Sequence, residues 1–264
     1  MKEAVIAGYV RSPFHFANKG ELTRVRPDDL AAEVVKALIA RTGIDPKDIE
    51  DLLLGCAFPE GEQGLNVARL IDLIADLPLS VAGATINRFC GSSMQAIHSA
   101  AGAIAMGAGD VFICAGIESM SRVPMMGFNP MPNPALNDRL PAAYISMGTT
   151  AENVAKKYGI SRQEQEAFAV ESQAKATSAR QAGKLQDEIT PIQSGKDTVV
   201  SDGCIREGTT LEALAGLKPA FDEHGVVTAG TASPLTDGAA ACLVVSADYA
   251  KAHGLKPLAK VKSI

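Results

Sequence analysis

The sequence predicts an α/β fold on three observations. Strand-like apolar runs alternate with helix-like stretches over the first 120 residues. Alanine (42) and glycine (24) are abundant among 264 residues, while aromatics make up 5% and tryptophan is absent. A cysteine, Cys90, stands between a short strand and a long helix. The alternation reads β-α-β-α-β-α-β, which a largely parallel sheet with covering helices produces. Small residues suit it, because they let helices approach a sheet closely. A chain of this length holds one or two domains and buries a substantial core.

Ala4–Val10 is a short apolar run suited to a buried strand. Pro27 fits a first helical position, Asp28 and Asp29 suit the positive end of the dipole, and Leu30, Val34, Val35, Leu38 and Ile39 recur at helical spacing up to Gly43. Asp45-Pro46 starts a short helix leading into the strand Asp51–Ala57. A second helix over Asn66–Leu77 carries Val67, Leu70, Ile71 and Ile74. A strand at Ala84–Ile86, a helix over Gly91–Met106 and a strand at Val111–Ile117 follow.

From Met120 the texture changes. Pro124, Pro130, Pro132, Pro134 and Pro141 predict an irregular segment. Thr149 with Glu152, and Ser161 with Glu164, have the spacing of capping boxes, and the second of these helices is polar over most of its surface up to Gly183. Polar, loop-like chain is expected from Pro191 to about Gly225, then a strand at Ala239–Ser246, a short helix at Asp248–His253 and a strand-like alternation at Pro257–Ile264. An excursion of this length between two strands earns a functional reading, since loops carry binding groups on a rigid scaffold.

The formal net charge is −5, and no block of clustered Lys and Arg occurs, which argues against nucleic acid as a partner. Five widely spaced cysteines without a CxxC pair support neither zinc nor a disulfide framework, and reduced thiols in a cytosol fit best. No apolar run is long enough for a membrane span, and Met1–Val10 lacks the features of a targeting segment, so a soluble, cytoplasmic protein is expected.

Cys90 sits at the amino terminus of its helix, where unpaired N–H groups and the dipole stabilise a thiolate. Gly91 leaves room for a substrate, and Ser92 and Ser93 are natural caps. By position alone the default reading of Cys90 is a small buried hydrophobe, the ordinary role of a free cysteine. That ordinary role is assigned to Cys56, Cys114 and Cys242 in their apolar strands; Cys204, in a polar loop, supports neither reading.

The segment Asn87-Arg88-Phe89-Cys90-Gly91-Ser92-Ser93-Met94-Gln95-Ala96-Ile97 resembles the nucleophile segment of the thiolases, the acetyl-CoA acyltransferases, and particularly of bacterial 3-ketoacyl-CoA thiolases. The likeness continues through Arg11-Ser12-Pro13, Gly64-x-Asn66-x-Ala68-Arg69, Gly116-x-Glu118-x-Met120-Ser121 and Met147–Glu152. It extends to Lys218–Phe221, Thr228–Ser233 and Asp237–Ala240. The resemblance implies a thiolase-like βαβαβαββ half with an inserted loop domain and the second half absent. In that frame residues 1–119 plus 226–255 are the α/β domain, 120–225 the CoA-binding loop domain, and 256–264 the start of a truncated C-terminal domain.

The implied reaction is thiolysis of a 3-ketoacyl-CoA, or the reverse condensation, through an acyl-cysteine at Cys90, with the Cys90 N–H donating to the oxyanion. Met147, Arg206, Phe221, Ala232, Ser233 and Leu235 match the family's CoA-contact positions. Acyl-CoA and CoA are the implied partners; coenzyme A is a substrate, and no other cofactor and no metal is implied. A homo-oligomer, dimer or tetramer, is implied for the complete enzyme. Ser146 stands where biosynthetic members often carry histidine, which leans towards the degradative branch. Taken alone, Arg206 reads as a solvated charge and Ser233 beside Pro234 as a turn residue.

The nucleophile lacks an evident base. His98 lies eight residues into the helix after Cys90, roughly 12 Å along the axis, and His15, His224 and His253 read as structural or solvent-facing. The family supplies its Asn-Glu-Ala-Phe, Gly-His-Pro and second Cys-Gly segments from a duplicated second half, and none occurs here. Part of a catalytic thiolase is therefore one expectation, inactive alone. A shortened, non-catalytic CoA-binding or assembly module is the other. An independent Cys-His hydrolase ranks third.

Overall fold

The computed structural model describes residues 1–264. In chain order the elements are β1 (Ala4–Arg11), β2 (His15–Phe16), α1 (Pro27–Thr42), β3 (Asp51–Gly55), α2 (Val67–Ile74), β4 (Ala82–Ile86), α3 (Ser92–Met106) and β5 (Val111–Ser119). Then follow α4 (Pro134–Arg139), α5 (Met147–Tyr158), α6 (Arg162–Gln181), β6 (Ile192–Ser194), β7 (Asp197–Val199) and α7 (Leu211–Ala215). The chain closes with β8 (Thr236–Ser246), α8 (Ala247–Ala252) and β9 (Ala259–Lys260).

One compact unit comprises Met1–Phe128, Glu188–Gly203 and Thr236–Ile264; the other comprises Asn129–Asp187 and Cys204–Leu235. The first holds a mixed sheet of order β4-β3-β5-β8-β1-β9, with β2 paired to β8. β3 pairs parallel with β4 and β5. β8 enters between β5 and β1 antiparallel to both, so β1, β3, β4 and β5 share one direction. The parallel core expected from the alternation is present; the antiparallel insert is not visible in local pattern, because β8 follows the long excursion.

Period-two alternation sorts the strand residues between two layers. Leu52 and Leu54 of β3 pack with Ile113, Ala115, Leu243 and the α1 and α2 residues Leu30, Val34, Leu38, Val67 and Ile71. Leu53 faces the other way, with Phe112, Cys114, Val244 and the α3 residues Ala96, Ala100 and Ile104. β3 is therefore buried on both faces, as a central parallel strand requires.

Long-range polar bonds stitch residues 188–203 to the end of β1. Arg11 donates to both Asp202 oxygens at 2.7 and 2.8 Å and to Glu188 at 2.7 Å. Asp202 also accepts the Phe14 N–H at 2.8 Å. Within this stretch β6 and β7 form a hairpin turning at Gly195, φ +66°, where a loop is expected from the polar sequence.

In the second unit, Ser161 and Glu164 form the expected capping box on α6. The α5 box does not form: Ser146 is the cap, accepting the Thr149 N–H at 3.1 Å, because the helix begins two residues before Thr149. Glu152 instead accepts the N–H groups of Val226 (3.0 Å) and Val227 (2.8 Å). The irregular proline segment contains helix α4 after all, since Pro134 takes the first helical position behind the cap Asn133. The C-terminal alternation pairs only at Ala259 and Lys260, against Ile6 and Val5.

Asp72 on α2 is fully buried and neither carboxyl oxygen has a hydrogen-bond partner. Burial pushes its carboxyl up to about 7, although Arg69 lies 3.7 Å away. A raised acid binds its proton more tightly folded than unfolded, so its contribution is present below about pH 4 and lost as pH rises through about 7. Asp72→Asn is expected to raise the melting temperature at pH 8 and to lose most of that advantage at pH 5. A difference independent of pH, measured by thermal denaturation, contradicts this.

Candidate active site

Two glycines at the carboxyl ends of β3 and β5 place the first turn of α3. A Cβ on Gly55 would lie 2.4 Å from the Ser93 nitrogen and 2.6 Å from the Ser92 carbonyl carbon. One on Gly116 would lie 2.0 Å from the Ser93 Oγ. Without side chains there, the helix end settles directly on the sheet edge and carries Cys90 with it.

The turn from β4 into α3 is wound tightly. Gly91 N–H donates to the Arg88 carbonyl (3.1 Å) and Ser92 N–H to the Phe89 carbonyl (3.0 Å). The Ser92 hydroxyl accepts from Arg88 N–H (2.9 Å) and donates to the Phe89 carbonyl (2.5 Å). The helix cap is Gly91, with no side-chain cap, so Ser92 braces the turn and neither serine caps the helix. Phe89 has φ +46°, a left-handed conformation that a bulky residue holds only when its neighbours enforce it. Cys90 is exposed at the apex, whereas Cys56 and Cys114 are buried. Thus the structure gives Cys90 the access and helix-terminal position that a nucleophile needs.

The groups that enforce this turn have no role assigned from the sequence alone. Asn87 accepts the Phe89 N–H (2.9 Å) and donates to the Ala57 carbonyl (3.0 Å). Glu118 accepts the Ala57 N–H at 2.7 Å and the amide of fully buried Gln63 at 2.8 Å. Gln63 in turn accepts the Ser119 N–H at 2.7 Å. The ends of β3 and β5 are thus tied to the cysteine turn. Burial raises the Glu118 carboxyl above its usual range despite these donors. Burial, with Glu118 nearby, also pushes the adjacent Cys56 thiol up to about 12. A carboxylate inside an otherwise apolar strand was the available signal. Asp237, from another matched motif, is buried and accepts from Ser119 and Ser121, a structural task.

Two of the four histidines are engaged elsewhere. The His15 ring pairs with the Ser201 carbonyl (2.9 Å) and the Glu21 N–H (3.3 Å). His253 stacks on Tyr249, and His224 is exposed beside Glu223. His98 lies within α3, two turns past its start.

All six positions matched to CoA contacts belong to the second unit. Met147 opens α5, and the Phe221 ring covers the neighbouring Gly148, where a Cβ would lie 2.1 Å from it. Both side chains are exposed. Phe221 stands in a loop closed by the Ala220 N–H to the Val227 carbonyl (2.9 Å) and clamped to α5 by Glu152. A tight turn follows, with the Thr231 and Ala232 N–H groups donating to the Thr228 carbonyl, and leads to half-buried Ala232 and exposed Ser233 and Leu235. The Arg206 N–H donates to Gln173 of α6 at 2.8 Å. The structure therefore joins Met147 and Phe221, sets Ala232–Leu235 on the next turn, and ties Arg206 to another helix. Ser146 is spent on capping α5. No group of three or more His, Cys, Asp or Glu residues is arranged to hold a metal. No helix is long and apolar enough to cross a membrane.

The thiolase N-terminal domain family matches residues 4–248. The chain is 48% identical, over its whole length, to a 3-ketoacyl-CoA thiolase of Bacillus subtilis, covering 71% of that protein. It is 44% identical to one of Marinobacter nauticus and 45% identical to one of Acinetobacter baylyi, covering 69% of each.

Asn87→Ala removes the bond to the Phe89 N–H and the bond that ties this turn to the Ala57 carbonyl. It is expected to cost about 1–2 kcal/mol in urea denaturation and to speed amide exchange at Phe89. Unchanged exchange there would show that the turn holds without Asn87.

Proposed function

Because the chain belongs to the thiolase family, we propose that it carries the nucleophile-bearing part of an acetyl-CoA C-acyltransferase acting on 3-ketoacyl-CoA. The single observation behind this reading is the exposed Cys90 thiol at the amino terminus of α3, on a turn braced from two strand ends. In the degradative direction the Cys90 thiolate attacks the 3-keto carbon and the developing oxyanion takes the Cys90 N–H. The bond between C2 and C3 breaks, C2 gains a proton, and acetyl-CoA leaves. The acyl thioester on Cys90 is then attacked by the thiolate of a second CoA, which regenerates the cysteine.

We assign CoA to Met147, Phe221, Ala232, Ser233 and Leu235, with Arg206 meeting the nucleotide end. The exposed apolar faces of Met147, Phe221 and Leu235 offer contact area, and the Ser233 hydroxyl suits a pantetheine amide. Five free thiols accord with a reducing cytoplasm, and we place the reaction in fatty-acid β-oxidation by an oligomeric enzyme. The proton transfers need an acid/base, and within the unit that carries Cys90 no histidine is placed for it, since His15 and His253 are engaged and His98 is two turns away. This favours a chain inactive alone. The same observation supports the second reading, a CoA-binding module without turnover.

Below pH 8, iodoacetamide is expected to label Cys90 before the other four cysteines, as read by peptide mass spectrometry; preferential labelling of Cys204 contradicts the assignment. Residues 1–264 alone are expected to show negligible thiolysis of acetoacetyl-CoA by CoA. Rapid thiolysis overturns the missing-base argument. An acetyl adduct at Cys90 after incubation with acetyl-CoA supports the catalytic reading, whereas CoA binding with no adduct supports the module.

A further inference from the structure

We propose that Cys114 and Cys242 form a redox pair that closes to a cross-strand disulfide, a modification site separate from the Cys90 chemistry. The two residues are direct register partners on the antiparallel strands β5 and β8. The Ser246 N–H donates to the Asp110 carbonyl (2.9 Å) at one end of this pairing and the Met120 N–H to the Thr236 carbonyl (3.4 Å) at the other. Hydrogen-bonded pairs recur every second residue along such a ladder, so Cys114 and Cys242 fall on a hydrogen-bonded pair. Their Cα atoms are then about 5.5 Å apart, inside the span of about 4.4–6.8 Å that a disulfide bridges. Directly opposed residues point to the same face of the sheet, and both thiols lie in the layer beneath α3 with Ala96, Ala100 and Ile104.

The two thiols differ in the way a stepwise exchange needs. Cys242 is partly exposed and Cys114 is buried. The bond from the Cys114 thiol holds Cys242 below its ordinary range, while that bond and burial push Cys114 up. The Cys242 thiolate attacks one sulfur of a low-molecular-weight disulfide, whose S–S bond breaks and releases one small thiol. Cys114 gives up its proton and attacks the Cys242 sulfur, expelling the second small thiol. Two protein thiols are oxidised to one disulfide, and one small disulfide is reduced to two thiols.

The position gives the bond a consequence. β5 leads out to the second unit and β8 returns from it, so the disulfide encloses residues 115–241 at the strands where that excursion leaves and rejoins the sheet. Closing a long loop restricts the unfolded chain and stabilises the oxidised form.

The test equilibrates the folded chain in glutathione buffers of increasing oxidised fraction, quenches in acid, alkylates free thiols and maps the peptides. A Cys114–Cys242 linked peptide is expected to appear with oxidation and to vanish on reduction, with a higher melting temperature for the linked form. In Cys242→Ser, Cys114 is expected to remain a free thiol. If Cys242 in the folded wild-type chain stays unmodified, or stops at the glutathione adduct while Cys114 remains free, the proposal is overturned. Either outcome is read on the wild-type protein, so it does not depend on the variant folding.

Discussion

The seating of α3 on Gly55 and Gly116 is the constraint on which the rest of this structure depends. Backbone atoms of Ser92 and Ser93 occupy the space that a Cβ on Gly55 would need. That approach brings the first turn of a helix against the carboxyl ends of two parallel strands and leaves Cys90 exposed above them. Small residues extend it, since Ala96 and Ala100 carry α3 on against the same face of the sheet. The two contacts differ in kind. Gly116 faces the end of the Ser93 side chain, which Ser93→Ala would remove, whereas Gly55 faces main chain that cannot step aside.

The second unit relies more on polar clamps than on a large core. Arg162 donates to Glu166 at 2.6 Å and to the carbonyls of Leu214, Ala215 and Leu217, satisfying the exposed end of α7. Glu152 does the converse, satisfying two N–H groups of the loop that carries Phe221. Such side-chain bonds fix loops without continuous apolar surface, which suits a region whose long helix α6 buries only Glu166. The exposed Met147, Phe221 and Leu235 are then side chains on fixed backbone, as the proposed contact with CoA requires.

Local features were legible in the sequence where local physics decides. Pro27 and Gly43 bound α1 because one residue pre-sets the helical φ and the other accepts the left-handed conformation at its end. The Ser161–Glu164 box forms because both partners lie within one turn. Thr149–Glu152 had the same spacing and failed, since Ser146 takes the cap and Glu152 is claimed by Val226 and Val227, distant in sequence. The Arg11–Asp202 pair and the insertion of β8 beside β5 are likewise long-range, and no periodicity announces them. At the site, Cys90 was legible from its strand–helix junction and motif. Its brace through Asn87, Ala57, Glu118 and Gln63 was not, because those residues converge only when β3 and β5 pair.

Position, access and support all meet at Cys90, and the reactivity proposed for it rests on the close approach of α3 rather than on a neighbouring base. The direct measurement is the rate of Cys90 alkylation in folded Gly55→Ala relative to wild type, with the buried Cys56 as an internal monitor of unfolding. The added Cβ should displace the helix terminus and slow Cys90 alkylation severalfold while Cys56 stays protected. Equal Cys90 rates in the two folded proteins would contradict the account.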